Sequence, residues 1–148
     1  MRLNWGAILL AGFADWVLAA IWFKAFSNAW IAGLRMAPEE LQAYTAHPNP
    51  WPYIISLLCS ILMAYAIAGL LSRSESHTMF RGISIGMLVG LAAALAMITD
   101  MVFEARVLSF IAISAAYPLM GCILMGIIVG VWKPKVIADS DRTTAVAR

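Results

Sequence analysis

Four long apolar runs alternate with short polar segments along the chain, and this pattern predicts four membrane-spanning helices. The runs are Leu3–Phe23, Trp51–Leu71, Gly82–Phe103 and Val107–Trp132. Each reaches about 20 residues, the length at which a helix crosses a hydrocarbon layer of about 30 Å. We therefore expect an all-α integral membrane protein, a four-transmembrane-helix bundle in a single domain over residues 1–132. Residues 133–148 are polar and mixed in charge, which is typical of a disordered cytoplasmic tail.

The long connection between the first two runs is expected to hold a short interfacial helix. Its first part, Ser27–Met36, is semi-apolar, and we expect it to lie along the membrane surface. The sequence Pro38-Glu39-Glu40-Leu41 is typical of a helix start, with proline at the first position and acids in the first turn. The alternating prolines at positions 48, 50 and 52 then end that helix before the second span.

The basic residues predict that both termini are cytoplasmic. Lysine and arginine are enriched in short cytoplasmic loops. With a cytoplasmic N-terminus, the inner side carries Arg2, Arg73, Arg81, Lys133, Lys135, Arg142 and Arg148, and the outer side carries Lys24, Arg35 and Arg106. Tryptophan is enriched at both membrane interfaces. In this orientation Trp5 and Trp132 lie at the inner interface, and Trp22, Trp30 and Trp51 lie at the outer one.

The composition agrees with a membrane protein and argues against several functions. Hydrophobic residues form 63% of the 148 residues and charged residues 12%, and the net charge of +2 is too small and dispersed for nucleic-acid binding. The two histidines, at positions 47 and 77, fall on opposite sides of the membrane, which excludes bis-histidine haem ligation or a histidine-based metal site within one subunit. No Ser-His-Asp triad and no Cys-His pair is available within the spans. We expect no enzymatic activity, metal or cofactor.

Small residues recur every four positions in the third and fourth spans. They are Gly82, Gly86, Gly90 and Ala94, followed by Cys122, Gly126 and Gly130. Such stripes let two helix backbones approach closely. The pattern favours packing within one bundle, and a subunit interface is the alternative. Because a four-helix bundle has a small interior in which to bury polar groups and both stripes, we also expect self-association, most simply as a homodimer.

Asp15 is the least expected residue of the first span, since it falls roughly 18 Å from Leu3 and near the membrane midplane. A carboxyl group at this depth must be protonated, paired or directed into a wet interior. Ala11, Gly12 and Ala19 share its helix face, so we expect Asp15 to face protein. It either handles protons or cations, or it is a neutral group that hydrogen-bonds Tyr117, Ser60 or a neighbouring subunit. Tyr65 is the other intramembrane polar candidate.

A charged cluster lies where the third span turns into the fourth. Asp100 and Glu104 are four residues apart on one helix face, and Arg106 can form ion pairs with them. The bland interpretation is an ion-pair network that fixes the turn. The functional interpretation is a ligand site at the outer mouth of the bundle, where small molecules often bind. Its candidate residues are Asp100, Glu104, Arg106, Trp22, Trp30 and Tyr117.

Short motifs along the chain resemble a known family. They are Asn4-Trp5, Ile21-Trp22-Phe23, Ala29-Trp30, Met63-Ala64-Tyr65, Phe103-Glu104-Ala105-Arg106, Ala116-Tyr117, Met125-Gly126 and Gly130-x-Trp132. Between Asn4 and Trp132 the chain resembles the bacterial membrane family called domain of unknown function 1761. The resemblance implies a multi-pass, four-span protein of the bacterial inner membrane without an assigned activity.

Three functions are compatible with these features. The first is binding or transport of a small molecule or lipid at an outward-facing cavity lined by Trp22, Tyr117, Glu104 and Arg106. The second is a structural or accessory subunit of a larger membrane assembly, without chemistry of its own. An intramembrane enzyme is the third and has the least support. We expect the first, with the lipid bilayer and a small molecule or lipid as partners.

Overall fold

The computed structural model describes residues 3–46 and 49–132, apart from the side chains at positions 44 and 45. Within these residues the chain forms six helices and no strand: α1 (Trp5–Ala25), α2 (Ser27–Leu34), α3 (Pro38–Ala46), α4 (Trp51–Ser72), α5 (Met79–Phe103) and α6 (Leu108–Val131). Helices α1, α4, α5 and α6 are long and apolar enough to cross a membrane. The predicted all-α fold with four spans is confirmed. The predicted tail, 133–148, lies outside the described residues.

Side-chain caps account for the starts of two of the four spans, α1 and α5. Helix α1 starts at Trp5 because the Asn4 side chain accepts a hydrogen bond from the Ala7 amide. Helix α5 starts three residues before the predicted Gly82, because Thr78 caps it by accepting from the Arg81 amide. Helix α4 carries Pro52 in its first turn, where the missing amide costs no hydrogen bond.

The connection from α1 to α4 contains two short helices, whereas one was expected. Helix α3 begins at Pro38, as the proline and the two glutamates predicted. The semi-apolar segment before it is also helical, as α2, and ends at Arg35 in a left-handed conformation with φ of 54°. An isolated eight-residue helix is marginal in water, so α2 depends on packing. Gly33 of α2 lies against Phe110 of α6.

Three spans, α1, α4 and α6, share one hydrophobic core. Its buried residues are Ile8 and Ala11 from α1, Ala64, Ile67, Ala68 and Leu71 from α4, and Cys122, Met125 and Val129 from α6. Alanine at several of these positions lets the helices approach closely. The outward faces carry large exposed apolar side chains, such as Leu62 and Leu88. This distribution suits a bundle whose outer surface contacts acyl chains.

Helix α5 joins the bundle through backbone contact with α6. The two helices form the most extensive interface in the structure. A methyl group added at Gly82 would collide with the Gly126 carbonyl, and one at Gly86 with the Cys122 carbonyl. Gly130 lies against Thr78 and Met79 in the same way. The two small-residue stripes therefore face each other within one chain.

This arrangement corrects the argument for self-association. We expected that a single bundle could not shelter both stripes and a midplane carboxyl group. The stripes pack on each other, and Asp15 is only 5% exposed within one chain. A homodimer stays a prediction, but these features no longer support it.

The glycine contact gives a testable prediction for stability. Replacing Gly86 by leucine should lower the free energy of unfolding by about 1–3 kcal/mol, because overpacking forces α5 away from α6. The measurement is unfolding of the purified protein in a denaturing detergent, followed by circular dichroism. The matched control is Gly69→Leu, since an added Cβ at Gly69 meets no atom within 4 Å. Equal stability of the two variants would contradict the contact.

Candidate functional site

The carboxyl group of Asp15 lies at the centre of the bundle, where three spans meet. Its Oδ2 accepts hydrogen bonds from Ser60 Oγ at 2.6 Å and from Tyr117 OH at 3.1 Å. The three residues occur near the middles of α1, α4 and α6. The prediction that Asp15 faces protein is confirmed, and so are two of the partners that were proposed for it.

Small residues on two helices make this position possible. Gly12, one turn before Asp15, lies against the Ile61 backbone, so that α1 and α4 approach closely there. Gly121 of α6 faces the carboxyl group, and an added Cβ would overlap Asp15 Oδ1. Oδ1 receives no hydrogen bond from any of the described residues. One carboxyl oxygen thus has two donors and the other has none.

A cavity of about 220 Å³ adjoins this group. Asp15 forms part of its lining, and α4 and α6 supply the remaining residues: Ser56, Cys59, Ser60, Met63, Tyr117, Pro118, Cys122 and Met125. Ser56 and Cys59 are exposed on the surface of α4, so the cavity opens there towards the bilayer. Both cysteines are free. The site therefore combines hydroxyl, carboxyl and sulfur groups in an otherwise apolar surface.

Two tryptophans of α1 bind neighbouring helices through their indole nitrogens. Trp16 Nε1 donates to the Tyr53 carbonyl and to Ser56 Oγ, both at 3.1 Å, beside the cavity opening. Trp22 Nε1 donates to the Ile113 carbonyl of α6 at 3.0 Å. The Trp22 bond is partly buried, and indole N–H groups that leave water commonly find such partners. These bonds fix α1 against α4 and α6 on the side of the site that leads to α2.

The charged cluster of the α5–α6 turn has a structural role in the folded chain. Arg106 Nε donates to Glu104 Oε2 at 2.9 Å, which is the pairing expected from the sequence. Its Nη1 donates to the Leu34 carbonyl at 3.0 Å, so it also caps the C-terminus of α2. A cation at a helix C-terminus is stabilising. Asp100 is exposed and forms no side-chain hydrogen bond or ion pair within the described residues.

Aromatic rings connect this turn to the Asp15 site. The Arg106 guanidinium lies 5.4 Å from the Phe110 ring centre, and Phe110 stacks on Trp30 at 6.2 Å. Phe23 contacts Trp30 at 5.3 Å and Tyr117 at 5.5 Å. Three rings therefore lie between Arg106 and Tyr117. Of the candidate residues, Arg106, Trp30 and Tyr117 are joined by packed side chains along this path, and the cavity lies instead on the α4–α6 side of Tyr117.

Tyr65 lies apart from both groups. It is 44% exposed and stacks on Trp5 at a ring distance of 5.8 Å, near the α4–α5 end of the bundle. As for metal ligands, no three histidine, cysteine or acidic side chains come together anywhere within residues 3–46 and 49–132.

Sequence reasoning missed several residues of the site. Ser56, Cys59, Met63 and Pro118 line the cavity, but their spacing in two distant helices gives no joint signal. Gly121 could have been found, because it lies beside the stripe residue Cys122 and on the helix that carries Tyr117. The cap that Arg106 forms on α2 depends on tertiary folding, so a pattern within one segment does not reveal it.

Four apolar spans, three of which meet at a buried carboxyl group, define a multi-pass, α-helical membrane protein. The chain belongs to the family described as protein of unknown function (DUF1761), whose model matches residues 6–130. This match reaches all four spans, omitting only the first residue of α1 and the last of α6, and confirms the resemblance in the sequence motifs. Neither the curated proteins nor the solved structures contain a match to the chain.

The arginine cap predicts how the α2 segment responds to substitution. Arg106→Lys keeps the charge but loses the planar fork that reaches Glu104 and Leu34 together. We expect faster amide hydrogen exchange in residues 27–34, with less than about 1 kcal/mol lost from global stability. Hydrogen exchange with mass spectrometry measures this. The control Arg35→Lys, at an exposed arginine, should leave exchange unchanged. If residues 27–34 exchange as slowly in Arg106→Lys as in the wild-type protein, Arg106 does not cap α2.

Proposed function

We propose that this protein binds a small amphipathic molecule within the membrane, at the cavity between α4 and α6, with Asp15 as its polar anchor. The observation that supports this most directly is the unequal use of the Asp15 oxygens. Oδ2 accepts from Ser60 and Tyr117, whereas Oδ1 has no donor from a described residue. A cavity begins at this carboxyl group and opens towards the bilayer.

The energetic cost of Asp15 supports a role beyond helix packing. A carboxyl group at the membrane centre costs about 2.5–3.5 kcal/mol even on insertion scales. An asparagine, whose side-chain oxygen occupies the same place, could accept the same two hydrogen bonds without a charge. The two hydroxyl donors hold the carboxyl group in a single orientation, which suits a binding site prepared before the ligand arrives.

The lining indicates the chemistry of the ligand. A volume of about 220 Å³ is smaller than the pockets that enclose drug-sized ligands. It suits one polar end of a molecule whose apolar remainder lies in the bilayer. Because the unused group is a carboxyl oxygen, that polar end should carry a hydrogen-bond donor, such as an amine or a hydroxyl. Met63 and Met125 supply adaptable apolar walls.

The alternative of an accessory subunit has less support. An accessory subunit needs a surface for another protein, and the glycine stripes, which were the candidate subunit interface, pack within the chain. Binding without catalysis also agrees with the residues at the site. The cysteines and serines there have no histidine beside them in the cavity lining.

The binding proposal predicts a copurifying ligand that depends on Asp15 and Tyr117. In mild detergent, the protein purified from native membranes should retain a near-stoichiometric small amphiphile, measurable by extraction and mass spectrometry. Asp15→Asn should keep the fold, because its carbonyl oxygen still accepts from Ser60, but should lower retention about 10- to 100-fold. Tyr117→Phe should lower retention as well, since the carboxyl group loses one of its two fixing bonds.

The matched control is Tyr65→Phe, which removes the same hydroxyl from an exposed ring away from the cavity. It should retain the amphiphile at the wild-type level. Circular dichroism and gel filtration establish that each variant is folded. Absence of any specific compound from the wild-type protein, or full retention by Asp15→Asn, would overturn the proposed function.

We further propose that the protein resides in the bacterial inner membrane with both termini in the cytoplasm. The seven inner and three outer basic residues support this orientation, as do the tryptophans near both ends of the spans. With single cysteines in a cysteine-free background, Gln42→Cys should react with an impermeant maleimide from outside whole spheroplasts. Ser74→Cys should react only after lysis. External labelling at position 74 would reverse the orientation.

A further inference from the structure

A second cavity, of about 320 Å³, lies in a groove between α4 and α5. Two arginines, Arg73 at the end of α4 and Arg81 in the first turn of α5, stand at its polar end. Ser74 lies beside them, and apolar residues form the rest of the lining: Leu70, Ile85, Leu88 and Val89. The groove is separate from the Asp15 cavity and shares none of its residues.

Both arginines carry a positive charge that no acidic side chain in the described part of the chain pairs with. They are exposed, and neither forms an ion pair or side-chain hydrogen bond with any residue in 3–46 or 49–132. Glu75 lies in the same turn without pairing to either. The N-terminus of α5, a helix of 25 residues, adds partial positive charge at the same level. The end of the groove therefore attracts an anion.

The apolar part of the groove runs away from the arginines along the spans. Arg81, Ile85 and Leu88 are spaced so that they share one face of α5, and Arg73 and Leu70 share one face of α4. From Arg81 to Val89 this face is about 12 Å long. One leaflet of the hydrocarbon core is about 15 Å deep. The arginines thus lie at the depth of the lipid headgroups. The apolar wall that continues from them is nearly as long as one leaflet is deep.

We propose that this groove binds an anionic phospholipid of the leaflet at the α4–α5 end of the bundle. Arg73 and Arg81 hold the phosphate, and an acyl chain lies along Leu70, Ile85 and Leu88. A guanidinium binds phosphate through a planar pair of donors. A second copy of the chain is a poorer occupant, because Glu75 is the one acidic side chain that the described residues present at this end.

The experiment compares two lipids that differ only in their headgroups. Purified full-length protein in mild detergent is titrated with dioleoyl phosphatidylglycerol or dioleoyl phosphatidylcholine, and bound lipid is counted by native mass spectrometry. The wild-type protein should prefer phosphatidylglycerol. Arg73→Gln and Arg81→Gln should each weaken its binding about fivefold, and the double variant about 25-fold, with little change for phosphatidylcholine.

The matched control is the double variant Lys24→Gln and Arg35→Gln. It removes two charges from exposed residues at the opposite end of the bundle and should bind phosphatidylglycerol as the wild-type protein does. The proposal is overturned if the two lipids bind equally, or if the control loses as much affinity as the Arg73 and Arg81 variant. It is also overturned if dimers form and disappear with the arginines, because the groove then belongs to a second copy.

Discussion

The fold depends on satisfying one carboxyl group far from water. Asp15 cannot turn to solvent at the middle of a span, so its partners must come from other helices. Ser60 and Tyr117 supply them from α4 and α6, and each donates to the same oxygen. Tight contact at Gly12 and Gly121 then follows, because larger residues would keep these helices too far apart for such bonds. The cavity lies beside this junction and is lined by α4, α6 and the carboxyl group.

Helix α5 is held by a different kind of force. It contributes little to the shared core of α1, α4 and α6, and its glycines contact the α6 backbone directly. In a bilayer, where burial of apolar side chains gains nothing over lipid, such close packing is a main source of helix association. The bundle therefore combines a polar junction that orients three helices with a backbone contact that attaches the fourth. On its other side α5 borders α4, and the groove with Arg73 and Arg81 at its end lies between these two helices.

The spans and the inward direction of Asp15 could be predicted from the sequence, because both follow from hydropathy and from small residues on one helix face. The start of α3 at Pro38 is similarly local. The pairing of Gly82 with Gly126 and the cavity around Cys59 could not be derived, because each depends on which helices become neighbours. Arg106 shows the same limit. Its bond to Glu104 spans two residues and was foreseeable, whereas its cap on Leu34 spans 72 and was not.

The separation of Asp15 from its partners also matters for biosynthesis. Ser60 follows it by 45 residues and Tyr117 by 102, so the second bond cannot form until the last span leaves the ribosome. Until then the first span must remain inserted with an incompletely satisfied acid, against a penalty of a few kcal/mol. The α5–α6 hairpin, joined by a short turn, can close as soon as both helices are inserted. Asp15, with its insertion penalty, is thus made early, and its last hydrogen bond forms late. A nascent chain released before α6 therefore exposes an unsatisfied carboxyl group within the membrane, which quality control can recognise.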